Sequence, residues 1–159
     1  MSFTIQRILG IAPVMVLGLL LLTPAPGLAQ AKPDLVVTSL TPPPATAVAG
    51  ASFAVTANVK NQGTAAAGAS ITRFVLVSTP GGAVRKTLSG TQAIPALAAA
   101  ASSAPAVTLK IFSDTLPGKY VLEACANRAD VAVPESITTN NCFQTTAQIT
   151  VSGLACPTS

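Results

Sequence analysis

Short runs of β-type sequence separated by turn residues dominate this chain from residue 34 onward. In the clearest run, Phe53, Val55, Ala57 and Val59 alternate with small or polar residues. A period of two places such side chains on one face of a strand. Pro, Gly and Asn interrupt pairing between the runs. The pattern predicts seven strands, near residues 34–40, 52–60, 71–79, 84–94, 106–112, 116–126 and 143–151.

Seven short strands without a long helix favour an all-β antiparallel sandwich, because connections this short join antiparallel neighbours. One segment competes with this interpretation. Residues 96–106 are rich in alanine, the strongest helix former. Pro95 and Pro105 would confine a helix there to about one turn, near residues 97–101.

The first thirty residues predict an export signal. Arg7 precedes an apolar run over residues 8–22, and Ala29-Gln30-Ala31 fits a small-x-small cleavage pattern. We place the cut after Ala31, with Ala29 as second choice. A retained membrane anchor is the alternative, but this run is shorter than the ~20 residues that span a bilayer. We expect a signal peptide at 1–31, one domain at 32–152 and a tail at 153–159, in a periplasmic or extracellular protein without a stable membrane anchor.

Composition excludes several kinds of chemistry. The chain has no His, which removes His-based nucleophilic centres, His-ligated metals and imidazole acid–base catalysis. Loss of Arg7 with the signal lowers the basic residues from 9 to 8 against 5 acids, so the net charge becomes +3. Only Arg85 and Lys86 are adjacent cations, and aromatic residues make up 4% of the chain. Nucleic-acid surfaces need clustered cations, so we expect no nucleic-acid partner.

Three cysteines in an exported chain indicate one disulfide and a remainder. Cys125 and Cys142 flank the loop between the last two strands, and both fall on the side predicted to face solvent. Opposed residues of an antiparallel pair can be bridged once the strands twist. This bridge would close the sixteen residues between them and contribute roughly 3 kcal/mol. For Cys156, beyond the last strand, a free thiol, an intermolecular bond that makes a dimer, and a swapped pairing all remain open.

Tyr120 follows Leu116-Pro117-Gly118-Lys119 at the start of the sixth predicted strand. This resembles the tyrosine corner of immunoglobulin-like and fibronectin-like sandwiches, in which the hydroxyl bonds to backbone a few residues upstream. The alternative is an ordinary half-buried core tyrosine.

Four segments in a fixed order carry a more specific resemblance. They are VKNQGTAAAG at 59–68, IPALAAAASS at 94–103, PGKYVLEACA at 117–126 and VPESITTNNC at 133–142, followed by a final strand QITV at 148–151. Together they resemble a CARDB domain, the cell adhesion related domain found in bacteria, over residues 33–151. The resemblance implies an immunoglobulin-like sandwich and a role in adhesion.

The loop motif of that family, V-x-E-x-x-E-x-N-N, is matched only in part. Thr138 replaces the second acid, and Asn127 stands where the family usually has an aspartate just after the sixth strand. The matching residues are Val133, Glu135, Asn140 and Asn141.

This loop has two interpretations. Calcium takes six to eight oxygen ligands, normally several carboxylates, so a loop with two acids would hold it weakly, at millimolar level. As a hairpin turn, its asparagines would cap their own backbone while Pro134 stiffens the chain. We favour the turn and expect no cofactor. The alternative is a weak calcium site made of Asn127, Asp130, Glu135, Asn140 and Asn141.

The acids do not suggest an enzyme, because acid–base catalysis needs paired carboxylates in a cleft. Glu123 is predicted to face solvent, Asp34 precedes the first strand, and Asp114 lies in a turn. We expect no catalytic residues and favour an exported immunoglobulin-like module that contacts a protein or envelope partner. The alternative is a small soluble periplasmic protein that binds a ligand or partner, although five Phe and one Tyr could line only a small pocket.

Overall fold

The structure is a computed structural model that describes residues 30–127 and 133–154. Most of the predicted signal peptide (residues 1–29), Asp130 and Cys156 lie outside the described residues. Within them the secondary structure is all strand. The strands are β1 Leu35–Leu40, β2 Thr46–Val48, β3 Ser52–Asn61, β4 Ser70–Ser78, β5 Arg85–Ile94, β6 Ser102–Ser103, β7 Ala106–Lys110, β8 Gly118–Cys125 and β9 Cys142–Ser152.

The all-β prediction is confirmed. The seven predicted strands correspond to β1, β3, β4, β5, β7, β8 and β9, while the short β2 and β6 were not predicted. No helix among the described residues is long and apolar enough to cross a membrane.

The strands form two layers around one core. Hydrogen bonding follows the path β1-β3-β7-β5-β4-β8-β9-β2, with β6 paired to β3 off this path. β5 and β7 share one residue pair, Ser89 with Lys110, whereas the other neighbours on the path pair over three residues or more. This junction separates a layer of β1, β3 and β7 from a layer of β5, β4, β8, β9 and β2. Such an arrangement is typical of immunoglobulin-like sandwiches.

Apolar side chains from both layers fill the core. The alternation predicted for β3 is confirmed, since Val55, Ala57 and Val59 are buried and Phe53 packs partly buried against the same cluster. Fully buried side chains elsewhere in the core include Leu35, Phe74, Leu76, Leu109, Ile111, Leu122 and Ile149.

One strand pairing differs from the antiparallel prediction. β2 pairs in parallel with β9, with Thr46 opposite Thr150 and Val48 opposite Ser152. Pro42, Pro43 and Pro44 end the pairing of β1 with β3 and carry the chain to the other layer. The chain keeps its direction, so β2 runs parallel to a strand about one hundred residues away in sequence. The rule that short connections join antiparallel strands does not apply to two strands so far apart in sequence.

The alanine-rich segment forms a tight turn, and the competing turn of helix near residues 97–101 does not form. The Ala101 N–H donates to the Ala98 carbonyl at 3.1 Å, and Ala100 adopts a φ of 64° in the left-handed region. Leu97 pairs with Ala67, and both side chains are buried. Anchoring of Leu97 in the core overrides the helix propensity of the alanines.

Candidate functional site

The start of β1, the end of β3 and the loop before β9 meet at one end of the sandwich. β1 and β3 are antiparallel, with Leu35 opposite Asn61. The hairpin of β8 and β9 begins at the pair Cys125 and Cys142. Polar side chains from these three places form two adjoining hydrogen-bonded groups, one around Asp34 and one around Glu135, which we together call the polar clasp. Its members are Asp34, Asn61, Gln62, Asn127, Glu135, Asn140 and Asn141.

Glu135 is the acceptor that ties the loop to the first strand. Its Oε1 accepts the backbone N–H of Leu35, one hundred residues earlier in the chain. Its Oε2 accepts from Asn127 Nδ2 at 2.5 Å and from Asn141 Nδ2 at 2.7 Å. Hydrogen bonds to an ionised carboxylate are about twice as strong as bonds between neutral groups. Glu135 therefore holds three separate segments together.

Asp34 makes a second set of bonds beside the first. Its carboxylate accepts from Asn140 Nδ2 at 3.0 and 3.2 Å and from Gln62 Nε2 at 3.0 Å. Its backbone N–H donates to Asn61 Oδ1 at 3.1 Å. Asp34 and Asn61 are both buried. A buried carboxylate is stable when donors compensate its lost hydration, and these amides supply them.

The backbone before β1 is held as tightly as the side chains. We call residues 32–34 the N-terminal strap. The Lys32 carbonyl accepts the Thr64 N–H at 3.0 Å, and the Pro33 carbonyl accepts the Ser136 N–H at 2.9 Å. A Cβ added to Gly63 would lie 2.4 to 2.5 Å from backbone atoms of the strap. Only glycine allows so close an approach of two backbones.

The structure brings together three of the residues that the sequence singled out in the last loop, because Asn127 and Asn141 both donate to Glu135. Asn140 instead donates to Asp34, which precedes the Leu35 whose N–H donates to Glu135. Asp130 lies outside the described residues. Asp34 and Asn61 were not predicted to belong to the cluster. Only their places in the chain could have indicated it, because Asp34 precedes β1, Asn61 ends β3, and these two strand ends lie side by side.

The donor set of the clasp fits internal hydrogen bonding better than a cation. All four carboxylate oxygens of Asp34 and Glu135 already accept N–H groups. The Oδ1 atoms of Asn140 and Asn141 are buried without a hydrogen-bond partner among the described residues, and these could serve as neutral ligands. Calcium needs six to eight oxygens. It would have to displace several amide donors to reach the two carboxylates.

The disulfide closes the base of the same loop. Cys125 and Cys142 are bonded, with Cα atoms 4.0 Å apart, and link neighbouring strands of one layer. The Glu123 carboxylate approaches Cys125 Sγ at 3.5 Å. Glu123 and the two sulfur atoms lie within 4.8 Å of one another. Both sulfurs are used by the disulfide, so this group offers no thiolate to a metal.

Glu123 was predicted to face solvent, and that prediction is wrong, because only 5% of the residue is exposed. The alternation assigned it correctly to the outer face of β8, but two neighbours cover it there. Arg85 forms an ion pair with its Oε1, and Gln144 Nε2 donates to its Oε2 at 2.7 Å. Glu123 is therefore a paired structural charge.

Two further predicted positions have structural partners. The Tyr120 hydroxyl donates to the Leu116 carbonyl at 2.7 Å, and the tyrosine is buried, as in a tyrosine corner. Asp114 lies in an exposed turn, where Lys86 Nζ reaches its Oδ2 at 2.7 Å. The hydrogen bond from the Lys86 ammonium holds the pKa of the Asp114 carboxyl below its usual range.

These features define an immunoglobulin-like β-sandwich domain with a hairpin disulfide and a polar network at one end. The profile of the CARDB family matches residues 32–145. The chain therefore belongs to the CARDB family. None of the curated proteins searched matches it.

Solved structures share the fold at low sequence identity. The CARDB domain of the PF1109 protein from Pyrococcus furiosus, in complex with di-metal ions, is 16% identical over 76% of this chain and 90% of that one, with a TM-score of 0.50. The solution structure of the same domain is 17% identical over 77% of this chain and 97% of that one, also with a TM-score of 0.50. A β-glucosidase from Erythrobacter marinus is 16% identical over 76% of this chain but only 16% of the enzyme, with a TM-score of 0.48.

Proposed function

We propose that this CARDB domain is an exported, non-catalytic module that acts through contacts made by its surface, in adhesion or within the cell envelope. The observation that carries the proposal is how the chain uses its carboxylates. Each of the four in the described residues is bonded to a group of the fold itself. Asp34 and Glu135 bind the clasp amides, Glu123 pairs with Arg85, and Asp114 pairs with Lys86.

A catalytic acid or base must reach a proton on its substrate. The carboxylates of this domain instead hold loops and neighbouring strands in place, so their chemistry serves the architecture. The disulfide between Cys125 and Cys142 supports export, because such bonds persist in oxidising compartments. Family membership supports adhesion as the kind of role.

The alternative is a periplasmic protein that carries a small ligand, and native mass spectrometry separates the two. The protein is isolated from the exported fraction of its host, and its mass is compared before and after denaturation. A surface-contact module should show no added mass and should be captured with an envelope component after cross-linking in intact cells. A stoichiometric small molecule released on denaturation would support the ligand-binding alternative.

We also propose that the clasp does not depend on calcium. The alternative is a calcium site at the clasp. Two observations favour it: the PF1109 domain is in complex with di-metal ions, and the amide oxygens of Asn140 and Asn141 have no hydrogen-bond partner among the described residues. The N–H donors that already bond to both carboxylates argue against it.

Thermal unfolding with and without micromolar calcium tests this prediction. We expect the same midpoint in both conditions, because a cation gains little where amide donors already compensate the charge. Glu135→Ala is the matched control, since it removes one of the two carboxylates. A rise of several degrees in the original chain that this variant loses would establish a calcium site.

A further inference from the structure

The end of the sandwich opposite the polar clasp carries a cleft in two adjoining parts. The smaller part, of about 200 Å³, is lined by Val84, Thr115 and Leu116. The larger part, of about 420 Å³, is lined by Phe112. Lys86 and Asp114 line both parts. We call the two parts together the distal cleft. The larger part alone falls within the roughly 300–1,000 Å³ of small-ligand sites.

The distal cleft opens where two strands cease to pair. β5 and β7 share only the residue pair of Ser89 with Lys110, and the β5 residues before it have no partner in β7. After β7 the chain turns, with the Thr115 N–H donating to the Phe112 carbonyl at 3.0 Å. Ile111 before this turn and Thr115 within it are buried. The fold therefore fixes the backbone on both sides of Phe112 and leaves its ring at the rim of the cleft.

Three apolar side chains of the cleft remain exposed. Leu116 is 66% exposed, and Val84 and Phe112 are each 43% exposed. Lys86 Nζ lies 5.6 Å from the centre of the Phe112 ring and leaves much of that residue uncovered. Single exposed apolar residues are ordinary, but a contiguous group usually marks a contact surface. A ligand of this cleft should therefore offer apolar surface to a ring and two aliphatic side chains.

Thr115 adds a polar group that the fold leaves unused. The residue is 4% exposed, and its Oγ1 has no hydrogen-bond partner among the described residues. A buried hydroxyl without a partner is unfavourable, so such a group calls for a partner from outside the chain. A ligand hydroxyl meets this need in either direction, because a hydroxyl both donates and accepts.

The charges around the cleft favour a ligand without charge. Lys86 is paired with Asp114, and Arg85, which also lines the larger part, is paired with Glu123. A charged ligand would have to break one of these pairs to gain a counter-charge from the residues that line the cleft. A neutral ligand leaves both pairs intact.

We infer that the distal cleft binds a neutral saccharide, with one sugar ring stacked on Phe112 and one hydroxyl bonded to Thr115. A pyranose ring presents C–H groups on its faces and hydroxyls around its edge. It therefore matches an exposed aromatic ring, two aliphatic walls and a buried hydroxyl at once. This inference rests on the proposed function, because it names the class of surface component that the module contacts.

An extended peptide is the competing occupant, because the edge of β5 away from β4 is unpaired before Ser89. Only residues 85–88 of β5 precede that position. This stretch is shorter than the about 5–6 residues of a usual strand. Alternate residues of β5 also direct their backbone groups toward β4, so about half of the stretch could bond to an added strand. A saccharide needs no such ladder.

An NMR titration tests the inference on the isotope-labelled full-length chain, as a bacterial host recovers it after its own processing. The probes are neutral hexasaccharides of glucose, mannose and N-acetylglucosamine, with hexagalacturonate as the anionic comparison. We expect at least one neutral probe to shift the amide signals of Phe112, Thr115 and Leu116 at millimolar concentration. No shift with any neutral probe, or a shift with the anionic probe alone, would overturn the inference.

Two variants locate the site. Phe112→Ala should raise the Kd about tenfold, the size expected when a stacked ring is lost. Thr115→Val should raise it about fivefold, as for one lost hydrogen bond. This change keeps the volume of the side chain and removes a hydroxyl that bonds to no described group, so the fold should stay as stable.

The controls repeat both changes away from the cleft. Phe143→Ala removes a ring that is 37% exposed near the clasp end of β9, and Thr72→Val removes another buried hydroxyl without a partner among the described residues. Both should leave the Kd unchanged. Equal Kd values in the cleft variants and their controls would show that the saccharide binds elsewhere and would overturn the assignment.

Cross-linking in intact cells separates a failure of this inference from a failure of the proposed function. If the captured envelope component is a protein and no saccharide shifts the cleft signals, the module still acts by surface contact and the saccharide inference is wrong. If a saccharide binds with the variant pattern above and no envelope component is captured, the site is established and the role in envelope contact is wrong.

Discussion

Gly63→Ala tests whether the N-terminal strap belongs to the fold. The added methyl group would lie 2.4 Å from the Lys32 carbonyl oxygen and 2.5 Å from the backbone N of Asp34. Real Cβ atoms do not approach backbone that closely, and the obstacles are main-chain atoms that cannot rotate away. The strap must therefore move by about 1 Å to restore van der Waals contact at ~3.4 Å.

That movement breaks identifiable hydrogen bonds. The Gln62 N–H donates to the Asp34 carbonyl at 2.8 Å, and the Thr64 N–H donates to the Lys32 carbonyl at 3.0 Å. The Asp34 N–H donates to Asn61 Oδ1 at 3.1 Å. Loss of three such bonds costs about 2–4 kcal/mol at roughly 1 kcal/mol each. The lower entropy of the unfolded chain returns about 0.4–1 kcal/mol, so we expect a net loss of about 1–3.6 kcal/mol.

Gly68→Ala is the matched control in the loop that follows β3. A Cβ at Gly68 has no heavy atom within 4 Å. The same chemical change should therefore leave stability unchanged or raise it by up to about 1 kcal/mol. Urea unfolding followed by circular dichroism measures both variants. If Gly63→Ala unfolds at the same urea concentration as Gly68→Ala, the strap contributes nothing to the fold and the clasp loses its assigned role.

Two further predictions concern the disulfide and the exposed ion pair. Cys125→Ser should lower the free energy of unfolding by about 2–4 kcal/mol, because the bridge restrains the unfolded chain. Mass mapping of the unreduced protein should find Cys125 linked to Cys142, and a peptide joining Cys125 to Cys156 would contradict the β8–β9 register. A carboxyl NMR titration should place the pKa of Asp114 lower in the original chain than in Lys86→Met. The small contribution of the Lys86–Asp114 pair to stability is present at neutral pH and is lost as pH falls through the lowered pKa of Asp114. Equal pKa values of Asp114 in the two proteins would refute the pairing.

The sequence predicted best what depends on neighbours in the chain. Short β-type runs bounded by turn residues located the seven longer strands, and a period of two assigned the buried face of β3. The Tyr120 hydroxyl bonds to Leu116, only four residues upstream. The strand positions follow from local spacing, whereas the tyrosine bond was implied by the resemblance to a tyrosine corner. Neither prediction needs the strand order.

Contacts between distant segments were harder to derive. The hydrogen bond from the Leu35 N–H to Glu135 spans one hundred residues, and no local pattern predicts it. Periodicity assigned Glu123 to an outer face but could not show that Arg85 would lie over it, because β4 separates their strands. The sequence did not predict that β1 pairs with β3. The register of that pair places Asp34 beside Gln62.

The chemistry at position 127 gives a physical reason for a clasp without calcium, as we propose. Asn127 Nδ2 donates to Glu135 Oε2 at 2.5 Å, while its Oδ1 accepts the Val133 N–H at 2.8 Å. The aspartate usual at this place in the family could accept from Val133 but could not donate to Glu135. It would put two negative charges in contact, and such a pair needs a bound cation or a proton between its members. An amide supplies one donor and one acceptor, so it satisfies both neighbours without either. An asparagine at position 127 therefore lets the chain's own donors close a loop that would need a cation or a proton with an aspartate there. We expect the stability of the domain to be independent of the calcium concentration.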